Sequence, residues 1–185
     1  MVTLKAHGTV PLRSGRALLE TKYLPADNGP GLLTLTLEDQ ETYESVDGTV
    51  RLDPLIADEY GLIEFRTAAC FVICGAQAVV GVDISNLSLV SSVGLEFHEA
   101  ETVGSPWHSE SEAHRSLVLA TERRVWCLDE RGAIRWTWAC ATDDRDRWIT
   151  GAPVIEDGSV RVPLRTMRGE QTIELDLADG LPRPV

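Results

Sequence analysis

Hydrophobic positions along this chain recur with a period of two far more often than with the 3.6-residue period of a helix. The run GLLTLTLE (31–38) alternates strictly, with Leu33, Leu35 and Leu37 on one side and threonines on the other, as a half-buried strand requires. Further β-prone segments follow between turn residues: VDGTVRL (46–52), YGLIEF (60–65), CFVIC (70–74), AVVGVDI (78–84) and LSLVSSV (87–93). LVLAT (117–121), RVWCLD (124–129), AIRWTW (133–138), PVIE (153–156), SVRVPL (159–164) and TIELDL (172–177) continue the series. The Asp-Gly pair in VDGTVRL reads as a turn feeding a strand. Helix signals are poor. The best window, SGRALLETKYL (14–24), puts Leu18, Leu19 and Tyr23 on one helical face, but it is short, and such runs also occur as strands. The pattern predicts an all-β chain of about a dozen short strands.

The spacing of these segments contains a repeat. FVICGAQAVVGVDISNLSLV (71–90) aligns without a gap on LVLATERRVWCLDERGAIRW (117–136), at an offset of 46 residues. Val79 and Val80 meet Val125 and Trp126, and Val82-Asp83 meets Leu128-Asp129. A third copy runs from Val160 to Gly180, with Asp176 standing 47 residues after Asp129; the strand pattern gives it about four extra residues in its first loop, 165–171. In each copy two strands alternate about a tight turn, and the Asp then leads into a second turn at Asn86, Gly132 or Asp179-Gly180. Such a unit cannot bury its apolar face alone, so neighbouring copies must stack. A period of 46 to 47 residues suits a four-stranded propeller blade.

The run LVLATERRVWCLDERGAIRWTW, with GAPVIEDGSVRV after it, resembles the quinoprotein-type (PQQ-like) β-propeller repeat. Leu128, Asp129, Gly132, Trp136, Pro153, Val154, Asp157, Gly158 and Val160 carry the match. The copies at 71–90 and 160–180 match less well: Gly132 and Trp136 become Asn86 and Val90 in the first. The resemblance covers residues 60–182 and implies antiparallel propeller-like blades of about 46 residues. With three legible copies, it implies an incomplete or small propeller, or an open, sandwich-like arc. Residues 1–59, whose VDGTVRL echoes EDGSVRV (156–162), form either a degenerate blade or a β-cap on a single β domain. A quinone cofactor is not expected, because no constellation that would hold one is present. The fold by itself assigns no activity.

Composition narrows the partners. The net charge is −12 over 185 residues, which argues against nucleic acid, since phosphate binding needs clustered Lys and Arg. It suits a basic protein partner. No run of about 18 apolar residues is present, so no membrane span is expected. MVTLKAHGTVPLRSG carries no apolar secretory core. Cys70, Cys74, Cys127 and Cys140 form no C-x-x-C pair, and three of them lie in strand-like apolar runs. Buried free thiols in a reducing cytoplasm are expected.

Candidate chemistry gathers in two polar segments. FHEAETVGSPWHSESEAHRS (97–116) holds His98, His108 and His114 with Glu99, Glu101, Glu110 and Glu112. Imidazole and carboxylate at this density suit Zn²⁺ or Mn²⁺, although no standard spacing such as HExxH occurs, and a solvated inter-strand loop is expected. In TDDRDR (142–147), Asp143 and Asp144 suit a charged loop tip better than a Ca²⁺ loop, which would need a Gly and a distal Glu. Trp126, Trp136, Trp138 and Trp148 fall within 23 residues. Trp126 takes the register of Val80 and so belongs to the core. Trp136 and Trp138 share one strand face. Trp148, beside Arg145 and Arg147, is either an interface hot spot or folded back over a blade edge.

No GxSxG, P-loop or GxGxxG motif is present, and no residue takes a catalytic role. The expectation is a non-enzymatic protein-binding module, in one form an acidic inhibitor or immunity protein for a basic toxin. Its binding residues would be Trp107, His108, Glu110, Trp138, Asp143, Asp144 and Trp148, in loops 97–116 and 139–151. The alternatives are a metal-dependent hydrolase using segment 97–116, and a structural subunit completing a larger propeller.

Overall fold

The computed structural model describes residues 2–5, 7–13, 17–24, 31–51, 59–65, 69–75, 78–95, 106–140 and 147–183, and among these every regular element is a strand. In chain order they are β1 (Val2–Lys5), β2 (His7–Pro11), β3 (Ala17–Leu24), β4 (Leu32–Asp39), β5 (Ser45–Arg51), β6 (Glu59–Glu64), β7 (Cys70–Cys74), β8 (Ala78–Asp83) and β9 (Leu89–Gly94). Then come β10 (Trp107–Ser111), β11 (Ser116–Ala120), β12 (Arg124–Asp129), β13 (Ile134–Ala139), β14 (Trp148–Ile149), β15 (Val154–Glu156), β16 (Ser159–Thr166) and β17 (Gly169–Asp176). The all-β, antiparallel fold expected from the sequence is the fold observed.

The chain divides into two compact units: Met1–Glu96 with Glu130–Ala133, and Phe97–Asp129 with Ile134–Val185. The first holds the antiparallel meander β2-β3-β4-β5 and the sheet β1-β6-β7-β8-β9. Leu19, Leu33, Leu35 and Val50 of the meander pack against Leu62, Phe71, Ile73, Val80 and Val82, with Leu87 between them. The second unit holds β10-β11-β12-β13, and a sheet in which β14, β15 and β17 all pair with β16. Val118, Ala120, Val125, Cys127 and Trp136 meet Ile149, Val160, Val162, Leu164 and Leu175 in its core. Every residue of β7 and of β11 is buried, which is why CFVIC and SLVLA read as unbroken runs rather than alternating ones.

The second turn of the repeat is built alike in the first and third copies. In the third copy Asp176 accepts the backbone N–H of Ala178 at 2.8 Å through its carboxylate, and Gly180 N–H reaches its carbonyl at 2.9 Å with φ at +74°. Asp83 does the same with Ser85 (2.8 Å) and Leu87 (2.9 Å), so the turn includes Asn86 as expected and its left-handed residue is Leu87 (φ +54°). Asp39, in the N-terminal meander, also builds it, accepting from Glu41 and Thr42 at 2.8 Å, with Tyr43 left-handed (φ +59°). These carboxylates pre-form the turn by Asx hydrogen bonding.

Two expectations change, and one open reading resolves. Residues 17–24, the weak helical window that also suited a strand, form a strand. β3 pairs with β4 from Ala17↔Asp39 to Leu24↔Leu32, and Leu19 and Thr21 are buried on alternate positions. Tertiary pairing outweighs the weak local helical period. VDGTVR (46–51) contains no turn: Asp47 and Gly48 lie inside β5, opposite Thr36 and Leu35. Gly is needed there because a Cβ at residue 48 would collide with Cβ and the carbonyl oxygen of Leu87. The four extra residues of the third copy lengthen a hairpin rather than a loop. Its ladder continues through Leu164↔Gln171 and Arg165↔Glu170 to Thr166↔Gly169, whereas the second copy turns at Thr121–Arg124, closed by a 2.9 Å hydrogen bond.

Candidate functional site

Alternation in β10 separates the candidate residues of segment 97–116. Trp107 pairs with Ala120, Ala120 with Val125, and Val125 with Trp138. The two indoles thus end one row across the sheet, on one face. Both are half-buried and lean on the second core. Trp136 lies deeper on the same face, 7% exposed, and donates its indole N–H to the Leu177 carbonyl at 2.8 Å. His108 and Glu110 face the other way, opposite Leu119 and Leu117. Trp126, opposite Leu119, is buried on that face, as its register with Val80 foretold. Trp107 and Trp138 therefore share a face but stand on opposite edge strands of the sheet, and His108 with Glu110 lies on the other face. Burial of the His108 imidazole holds its pKa below the usual value, against the opposing charge of Glu110.

His114 has a structural partner. Its Nδ1 lies 2.9 Å from Ser111 Oγ, in a turn where Arg115 is left-handed (φ +49°). Arg135 closes this turn by donating to Ser116 Oγ (2.8 Å) and to the carbonyl of Arg115 (3.2 Å). His98, Glu99, Glu101, Asp143 and Asp144 lie outside the described residues. Among the described residues, no three His, Cys, Asp or Glu side chains are grouped to hold a metal ion.

Trp148 stands on the outward face of the last sheet. β14 pairs Trp148 with Arg165 and Ile149 with Leu164; Ile149 is fully buried, so alternation turns Trp148 outward. The strand is anchored twice: Ile149 N–H donates to the Glu122 carbonyl (2.8 Å), and Arg123 donates to the carbonyl of Arg147 (2.7 Å). The Arg165 guanidinium lies 5.9 Å from the centre of the half-buried indole, a cation–π distance. Glu170 follows Arg165 in the same row, and Pro163 pairs with Thr172 in the next. A shallow depression of about 350 Å³ opens here, lined by Thr150, Pro163, Leu164, Glu170, Gln171 and Thr172.

Alternation within SVRVPLRT sets Arg161, Pro163 and Arg165 on one side of β16, which signals this face in the sequence. What the sequence does not show is the register that puts Arg165 against an indole 17 residues earlier. Along the same face Arg161 pairs with Glu156 (3.0 Å), and Arg183 with Asp176 (2.9 Å) and Glu174 (3.4 Å). These pairs are solvent-exposed and add little stability; their effect is to fix side-chain positions.

No protein-family model matches the chain, and no curated protein matches it. Among solved structures it is similar to BamB from Moraxella catarrhalis, with a TM-score of 0.50 and 14% identity over 98% of this chain and 65% of that one. It is also similar to a europium-containing methanol dehydrogenase (TM-score 0.46, 14% identity, 63% of this chain and 22% of that one). A third likeness is to the Pan2 WD40 domain of Neurospora crassa (TM-score 0.39, 11% identity, 88% and 50%). The chain thus spans less than two-thirds of the BamB chain. At this identity the BamB likeness is one of fold: with the four antiparallel sheets, it makes these sheets propeller-like blades.

Proposed function

We propose that this chain is a non-enzymatic protein-binding module whose contact surface is the outward face of β14, β16 and β17. The observation that carries the proposal is the Trp148–Arg165–Glu170 row, an indole and a guanidinium stacked at 5.9 Å beside a shallow depression. Trp and Arg are enriched among the residues that dominate binding energy, and a side chain held by a strand loses little freedom on association. The partner is a basic protein: the net charge of −12 speeds encounter with a cationic surface and disfavours anionic ones. In its sharper form, the module is an acidic inhibitor of a basic toxin, acting in a reducing cytoplasm that suits four free buried cysteines.

The test uses the full chain as bait for the basic proteins encoded beside it, followed by titration calorimetry on each pair. Binding should be saturable, weaken with added salt, and fall by about tenfold or more in Trp148→Ala and Arg165→Ala, as expected of hot-spot residues. Binding unchanged in both variants would remove this face from the proposal. The absence of any basic partner that binds would remove the inhibitor reading.

A further inference from the structure

Edge strands expose unpaired backbone N–H and C=O groups, and folded proteins blunt them with charges, prolines or bulges. Most described edge strands of four residues or more obey this rule: β1 carries Lys5, β2 Pro11, β5 Asp47 and Arg51, β10 Glu110, β13 Arg135, and β17 Glu170 and Glu174. β9 does not. The chain holds no charged residue and no proline from Ile84 to Leu95, although 25% of its residues are charged.

The comparison between β9 and β13 sharpens the difference. Both strands carry a bulge at the corresponding place. In β13 the register passes from Cys127↔Trp136 to Leu128↔Ile134 and leaves Arg135 as the extra residue. That guanidinium turns back onto the Ser116 hydroxyl and the Arg115 carbonyl. In β9 the register passes from Gly81↔Ser91 to Val82↔Leu89, and the extra residue is Val90. Leu89 and Val90 are consequently both turned to solvent, 54% and 40% exposed. Where one blade spends its bulge on a charge, the other presents two adjacent aliphatic side chains on an uncharged edge.

We propose that the edge of β9, Leu89–Gly94, is a docking site for an extended peptide with alternating apolar and basic side chains, which adds a strand to the sheet. Main-chain hydrogen bonds would supply affinity, and Leu89 and Val90 would receive the apolar side chains. Charge selects this occupant over a second copy of the chain: two copies each carry −12 and repel, whereas a cationic strand is attracted. The site belongs to the first unit and the Trp148 face to the second, and neither proposal depends on the other.

The probe is a labelled ten-residue peptide alternating valine and lysine, followed by fluorescence anisotropy against the full chain. Saturable binding is expected. Methylating alternate backbone nitrogens of the peptide should abolish it, because strand addition needs those donors. The double variant Val90→Lys with Ser92→Lys should weaken it by about tenfold or more, while Leu24→Lys, at a comparably exposed aliphatic position (43%), should not. Equal binding of the methylated peptide would reduce the interaction to charge attraction and overturn the proposal, with no variant required. Equal binding by the double variant, confirmed folded by its melting curve, would overturn it too. A dimer in sedimentation that Val90→Lys dissolves would assign the edge to a second copy instead.

Discussion

The indole N–H of Trp136 donates to the main-chain carbonyl of Leu177 at 2.8 Å, across 41 residues of chain, and so ties β13 to the end of the last blade. Gly180 lies against the same ring: a Cβ there would stand 2.6 Å from its carbons, at a φ of +74°. Trp136→Phe keeps an aromatic body but leaves a buried carbonyl without its donor, which costs about 1–3 kcal/mol. Gly180→Ala adds both a collision and left-handed strain, so it should be at least as destabilising. Urea melts with an unchanged slope and a lowered midpoint would show both effects.

Two strand glycines should respond in opposite directions. Gly48 faces the Leu87 backbone, so Gly48→Ala must displace a turn and should destabilise by about 1–3 kcal/mol, the usual cost of overpacking. Gly94 has nothing within 4 Å of a would-be Cβ. Gly94→Ala should stabilise by about 0.5–1 kcal/mol, because a strand glycine loses the most freedom on folding. Equal shifts in the two melting midpoints would contradict the packing described for Leu87.

The same dipeptide shows how far the sequence could be read. Asp157-Gly158 forms a two-residue hairpin turn, both residues left-handed at φ +47° and +73°, as Asp-Gly predicts. Asp47-Gly48 has the same letters but runs straight, because what decides it is Leu87, which belongs to another strand pair. Strands with apolar alternation or unbroken apolar runs were legible because burial writes itself into sequence with a period. β10 (WHSES) was not: each of its residues is half-buried, so no period appears. The Asp39 turn was not legible: Asp39 stands 44 residues before Asp83, off the period of 46 to 47, and its left-handed residue is Tyr43, where no glycine marks it. At the candidate site, Trp148 was visible as an aromatic among charges. Its partner Arg165 was not, because register across strands is set by pairing and not by local composition.

Burial should make the thiols inert. It pushes Cys74 up to about 12 and Cys127 up to about 11, so the thiolate that reacts is scarce near neutral pH. All four cysteines are free and buried. Ellman's reagent should therefore find no reactive thiol in the folded chain and all four after unfolding in denaturant. Rapid reaction of one equivalent with the native protein would contradict this burial.

The half-buried His108 should give stability a pH dependence of known sign. Burial disfavours its imidazolium, so its folded pKa lies below the ordinary 6.5. Between these two values the unfolded chain binds more protons than the folded one, and stability rises with pH. The contribution is complete above 6.5, declines as the pH falls beneath it, and levels off once the folded imidazole also protonates. His108→Gln removes the titration while keeping a polar side chain of similar size. The loss of melting temperature between about pH 8 and about pH 5 should therefore be smaller in His108→Gln than in the parent chain. The difference between the two profiles isolates this residue from His7, His98 and His114, which both proteins share. An identical loss in the two would mean that the imidazole opposite Leu119 titrates as freely as in the unfolded chain.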